Sequence, residues 1–149
     1  MTRREALGIT LLELTLVLAL VSLLMAVAIP GFNGYVERAN TSRAIGDIGG
    51  ISLQLSRWQT SFGVFPDTLA VAGLDRLDPW GQPYVYLNLA DAKPGEFRRD
   101  KNLNPVNTDY DLYSIGKDGE TLKAFTAKQA RDDIVRANNG GFIGRAEDY

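Results

Sequence analysis

The chain has 149 residues, 45% of them hydrophobic and 23% charged, with 16 Lys and Arg against 18 Asp and Glu. A formal net charge of −2 supplies no basic field to hold nucleic acid nonspecifically. Histidine and cysteine are both absent, which removes Ser-His and Cys-His nucleophile pairs and every disulfide, and argues against an enzyme.

The first eight residues carry Arg3 and Arg4 and end in Gly8; residues 9–29 are then apolar except for three hydroxyl residues and one carboxylate, Glu13. At about 1.5 Å per residue that run makes a helix of roughly 30 Å, enough to cross a bilayer's hydrocarbon. It holds no glycine or proline before Pro30 and is hydrophobic all round, as a membrane span is. Arg3 and Arg4 keep the leader cytoplasmic by the positive-inside rule, which places everything after Pro30 on the other side. Three other readings compete: a Sec signal peptide cut near Ala26-Val27-Ala28, a twin-arginine signal at Arg3-Arg4, and a plain single-span anchor. None of them accounts for Gly8 before the run or Glu13 within it. A carboxylate well inside a span costs about 2.5 to 3.5 kcal/mol and calls for a partner; the alternative is a solvated Glu13 at the membrane surface.

Arg-Arg-Glu-Ala-Leu-Gly8 followed by Ile9-Thr10-Leu11-Leu12-Glu13-Leu14 resembles the class III signal of type IV pilins and type II secretion pseudopilins. The resemblance implies that a prepilin peptidase cuts after Gly8, that Ile9 becomes the N-methylated mature N-terminus, and that Glu13 is the fifth mature residue, used in assembly. Ile9 departs from the phenylalanine usual at that place. Cleavage would free an α-amino group four residues before Glu13. In a bundle of parallel spans a neighbour's amino group can then pair with the carboxylate, which punishes misregistered subunits.

Beyond Pro30-Gly31, apolar residues recur every three or four positions through Phe32, Tyr35, Val36, Ala39, Ala44, Ile45, Ile48, Ile51, Leu55 and Trp58. The spacing predicts an amphipathic helix over 32–60, continuous with the span and kinked or loosened at Pro30. Gly46, Gly49 and Gly50 each cost about 1 kcal/mol relative to alanine there. They mark either close packing against a neighbour, the reading preferred here, or a break. Roughly 120 residues remain after the span, enough for one domain with a modest core.

From Ser61 the pattern changes. Residues 62–78 are loop-rich, with Phe65, Leu69 and Leu74 expected to pack on the helix. Residues 84–89 and 110–115 are dense in strand formers, 96–99 has the makings of a short strand, and 124–131 of a helical turn or two. The tail, 138–149, with Gly140, Gly141 and Gly144, is expected to be loosely ordered or used at subunit contacts. The expected fold is α+β: a long N-terminal helix packed on a small antiparallel sheet with a C-terminal loop.

Two local motifs refine the family. Asp78-Pro79-Trp80-Gly81-Gln82-Pro83-Tyr84 places Asp, Pro and Gly at the first, second and fourth positions of a type I turn, with Trp80 to pin it. Entering a strand in this way, it resembles the major pseudopilin of type II secretion more than the pilins that close their C-terminal region with a disulfide. Asp109 to Gly119, containing Asp-Leu-Tyr-Ser-Ile-Gly-Lys-Asp-Gly, and the later Asp132-Asp133-Ile134 resemble the calcium loop of major pseudopilins. The resemblance implies calcium held by the backbone carbonyl of Ile115 and the side chains of Asp118, Asp132 and Asp133. Calcium's need for six to eight hard oxygens in a tolerant loop agrees with such a set. The same residues also read as an ordinary hairpin turn at Lys117-Asp118-Gly119 and a solvated Asp132-Asp133 cap. The carboxylate pairs Asp109 with Asp111 and Asp132 with Asp133 do not by themselves face each other across a cleft, as glycosidase chemistry requires. Residues 86–109 are longer than the resemblance implies and include the hydrophilic run Arg98-Arg99-Asp100-Lys101.

The organisation expected from the resemblance is a prepilin leader over 1–8, a transmembrane and assembly helix over 9–29 and a periplasmic pseudopilin domain over 30–149. The protein would sit in a bacterial inner membrane as a single-pass subunit. After trimming by prepilin peptidase it would stack with copies of itself into a helical periplasmic fibre, with an inner-membrane assembly platform and minor pseudopilins as further partners. The fibre is thought to move folded proteins outward as a piston or screw. The alternative within the superfamily is a type IV pilin or minor pilin for adhesion, motility or DNA uptake.

Overall fold

The structure is a computed structural model that describes residues 8–93 and 95–149; Arg3 and Arg4 of the expected leader lie outside the described residues. The chain divides into two compact units, Met1–Arg38 and Ala39–Tyr149. This boundary falls past the membrane edge expected after residue 29, because compactness and apolarity divide a chain by different criteria.

Helix α1, Leu11–Phe62, begins in the first unit and contains Pro30 without being divided by it. Its start is capped: the Thr10 Oγ1 accepts the amide of Glu13 at 3.2 Å, and the Thr10 carbonyl accepts that of Leu14 at 3.1 Å. Thr10 and Glu13 thus stand at the spacing of an N-cap and third helical residue, where a carboxylate also meets the positive end of the helix dipole. Within the first unit the large apolar side chains of the helix, from Leu11 to Tyr35, are exposed. Its hydroxyls need no outside partner, since Thr15 donates to the Leu12 carbonyl and Ser22 to that of Leu18.

In the second unit the helix shows the expected stripe. Ala44, Ile48, Ile51 and Leu55 are fully buried and lie three or four residues apart on one face. They pack with Leu69, Leu74, Tyr84, Tyr110, Leu112 and Ile134. The glycines do not break the helix, and the close packing preferred for them is not what they provide: a Cβ on Gly49 would meet Ile143 and one on Gly50 would meet Arg76 at an ordinary 3.9 Å, and one on Gly46 would meet nothing within 4 Å.

Four antiparallel strands follow in sequence order, β1 (Val85–Asn88), β2 (Tyr110–Ser114), β3 (Ile134–Ala137) and β4 (Phe142–Arg145). Leu87 faces Asp111 between β1 and β2, Tyr113 faces Val135 between β2 and β3, and Val135 faces Gly144 between β3 and β4. Alternation sends Tyr110, Leu112 and Ile134 toward the helix, while Val135 and Ala137 join Val106, Phe125 and Ala146 in a second core. The sheet is therefore covered on both faces, by α1 and by the irregular chain between β1 and β3.

The expected strand over 96–99 is reduced to isolated bridges of Arg99 with Pro105 and Ala124. The expected helical turn in 124–131 is a single 3-10 turn, Lys128–Ala130. The tail differs from the loose segment expected. Asn138, Asn139 and Gly140 all take positive φ, a left-handed turn that Asn and Gly tolerate, and this folds Phe142–Arg145 back onto β3.

The Asp78 turn forms as expected. The Gly81 amide bonds to the Asp78 carbonyl at 3.0 Å, and Asp78 Oδ1 accepts the amides of Trp80 and Gln82 at 3.0 and 2.9 Å. Its other oxygen accepts the Ser114 hydroxyl, fastening the turn to β2. Asp78→Ala would leave that buried hydroxyl and two amides unpaired, so urea unfolding of the full chain in detergent should show a loss of about 2 to 3 kcal/mol. A loss no larger than that of Thr68→Ala, which removes only the exposed bond from the Val71 amide to the Thr68 hydroxyl, would show that the turn is not anchored in this way.

Candidate functional site

Two regions carry the chemistry singled out in the sequence. At the N-terminal end, Gly8 and Ile9 precede α1 outside regular structure, both exposed. Glu13 lies in the first turn of α1, also exposed. The charged residue expected to need a partner is therefore presented on the surface of its own unit, among the exposed side chains of Leu12, Leu14 and Leu16.

The second region is the loop from β2 to β3. It turns at Gly116 and Gly119, both at positive φ. Asp132 reaches back across it: its Oδ2 accepts the amides of Lys117 at 3.0 Å and Asp118 at 3.2 Å. The fit at Gly116 is close, since a Cβ there would stand 2.6 Å from Asp132 Oδ2. Asp118 is exposed and its Oδ1 accepts the amide of Glu120. Asp133 is fully buried, and its Oδ2 accepts Arg98 Nη2 at 2.6 Å and the Thr121 hydroxyl at 2.5 Å.

The structure thus brings Asp118 and Asp132 to the same turn but directs Asp133 elsewhere. Among the described residues no three carboxylates gather into a group able to hold a metal ion. Asp133 Oδ1 is buried without a hydrogen-bond partner, but one such oxygen is far short of the six to eight that calcium takes. As placed, the donor set does not fit a calcium ion.

Sequence reasoning missed the residue that organises this region. Arg98, read as part of a hydrophilic loop, is 3% exposed. Its amide donates to Asp111 Oδ2 at 2.8 Å, its Nη1 to Thr121 at 2.6 Å, and its guanidinium lies 4.2 Å from the Tyr113 ring centroid and 5.1 Å from that of Phe125. The only local signal was Phe97 before it. The partners lie 13 to 35 residues away, beyond the reach of any local pattern. Burial pushes the Asp133 carboxyl up to about 6 against the opposing pull of Arg98 and Thr121. Burial also raises Asp111, opposed by the Arg98 amide and Asn107.

A second buried arginine holds the other end of the sheet. Arg136 grips Asp109 with both Nη atoms, at 2.8 and 2.7 Å, and lies 4.0 Å from the Tyr110 ring centroid. It also donates to the Tyr110 carbonyl, and Asn107 is held by Asp111 and by the Arg136 carbonyl.

No known family model and no solved structure matches the chain. Its sequence is similar to the type II secretion system core protein G of Aeromonas hydrophila, 27% identical over 144 residues that cover 80% of this chain and 89% of that protein. It is 28% identical to the protein of the same description from Pseudomonas aeruginosa, over 144 residues and the same shares. The type IV major pilin PilE of Neisseria gonorrhoeae is 28% identical over 149 residues, 94% of this chain and 87% of that one.

Replacing the planar fork of Arg136 by a point charge should be costly. Arg136→Lys is expected to lower stability by about 2 kcal/mol in chemical unfolding, whereas an unchanged midpoint would mean that the bidentate grip on Asp109 contributes nothing.

Proposed function

We propose, from the premise that this chain is a major pseudopilin of the pilin-like superfamily, that it is a structural subunit of a periplasmic pseudopilus in type II protein secretion. The likeness to core protein G over most of both chains carries the reading. The architecture supports it: one helix long and apolar enough to cross a membrane, whose continuation packs on a four-stranded antiparallel sheet. The relatives are pilin and pseudopilin proteins, and no catalytic step is assigned to this chain.

In this reading prepilin peptidase cuts between Gly8 and Ile9 on the cytoplasmic face and Ile9 is N-methylated. Gly8 and Ile9 are exposed and outside regular structure, which leaves the bond between them open to a protease. The span then holds the subunit in the inner membrane with the globular unit in the periplasm. Extraction by an assembly platform stacks the helices of successive copies, minor pseudopilins completing the fibre. Once drawn out of lipid, the exposed apolar helix is kept from water by packing against other copies, and Glu13 pairs with a neighbour's freed α-amino group to set the register. The likeness to PilE favours a pilin as the second reading.

Deletion of the gene in its own bacterium separates the two. It should abolish release of secreted proteins while leaving surface fibres unchanged; loss of surface fibres with normal secretion would support the pilin. A Glu13→Ala copy should fail to restore secretion although the protein accumulates in the membrane. Processing is tested by intact mass of the membrane-extracted protein, which should lack Met1 to Gly8 and carry one added methyl group; a retained leader, or cleavage elsewhere, would overturn the assignment of Gly8 and Ile9.

A further inference from the structure

We propose that the guanidinium of Arg98 is the built-in cation of the β2–β3 loop, so that this globular unit closes without any divalent metal. The loop concentrates Asp118, Asp132 and Asp133 within a short stretch, and such carboxylates repel one another unless something positive or hydrogen-bonding intervenes. Each has its own answer in the chain. Asp118 is exposed to water and bonded to the Glu120 amide. Asp132 is neutralised in part by the backbone amides of Lys117 and Asp118. Asp133, fully buried, meets a full positive charge at 2.6 Å.

The arginine is held where the carboxylate needs it. Both of its peptide groups are fixed, the amide on Asp111 and the carbonyl on the Val106 amide at 3.1 Å. The next residue, Arg99, exchanges backbone bonds with Lys123 and Phe125 at 2.9 and 3.0 Å. Tyr113 and Phe125 flank the guanidinium, an environment that accepts an arginine far more readily than a hydrated ammonium. Arg98 and Asp133 share Thr121 as a third member, since the threonine oxygen accepts from Arg98 and its hydroxyl donates to Asp133. A divalent ion bound through Asp133 would be left with the one unpartnered oxygen, Oδ1, and would stand beside a positive charge already in contact with Oδ2. The long segment after β1 thereby gains a purpose: it delivers a cation to the far side of the sheet.

Thermal melting of the full chain in detergent tests this, with metal removed by excess EGTA or supplied as excess calcium chloride. The midpoint is expected to be the same in both, and elemental analysis of the purified protein should find far less than one calcium per chain. Arg98→Gln should lower the midpoint by roughly 10 °C, the scale for breaking a buried pair in a chain of this size. Asp118→Ala keeps the Arg98 contacts and should melt like the unaltered chain with or without calcium. A midpoint that falls in EGTA and recovers with calcium, and no longer does so in Asp118→Ala, would overturn the proposal; so would an Arg98→Gln protein as stable as the original. The outcome is independent of whether the subunit builds a secretion fibre or a pilus.

Discussion

The irregular half of the globular unit depends on one buried charge pair, Arg98 with Asp133. Each member alone would be prohibitively placed, because an ion removed from water without a partner costs several kcal/mol. Together they force three distant segments into one arrangement: the chain after β1, the turn through Thr121, and the entry to β3. Apolar residues of the same volume can pack as tightly, but they would not demand that particular arrangement. A pair of this kind is expected where a fold must fix long loops without a disulfide, and this chain has no cysteine. Arg136 with Asp109 repeats the device at the β3–β4 turn, where it also stacks on Tyr110.

The long helix shows how one element serves two environments. Its first half is apolar on every side and leaves those side chains exposed within its own unit, as in a helix long and apolar enough to cross a membrane. Its second half narrows to the stripe of Ala44, Ile48, Ile51 and Leu55 and meets the sheet. The same 3.6-residue geometry therefore yields an exposed apolar element and a core element, and only the distribution of polar residues changes between them.

Much of this was readable from local pattern. The helix is written in a period of three to four, β1 and β2 in runs of strand-forming residues, and the Asp78 turn in the positions of Asp, Pro and Gly. The second half of the sheet was not. Residues 134–137 read Ile-Val-Arg-Ala, all buried, so no alternation of polar and apolar residues marks a strand covered on both faces. Residues 142–145 include a glycine and an arginine, and their place is set by the left-handed Asn-Asn-Gly turn before them. The site divides in the same way. Gly8, Ile9 and Glu13 stand out because their signal is local to the span. The loop carboxylates stand out in the sequence as well, but the guanidinium that meets Asp133 comes from 35 residues away and is indistinguishable in sequence from the charged residues after it.

Arg98 and Asp133 are expected to act as a unit. A double-mutant cycle measures this directly, using Arg98→Met and Asp133→Leu singly and together in chemical unfolding of the full chain. Each single change should cost about 3 to 5 kcal/mol and the double change well below their sum, since the second replacement removes the charge stranded by the first. Costs that add to within about 0.5 kcal/mol would contradict it.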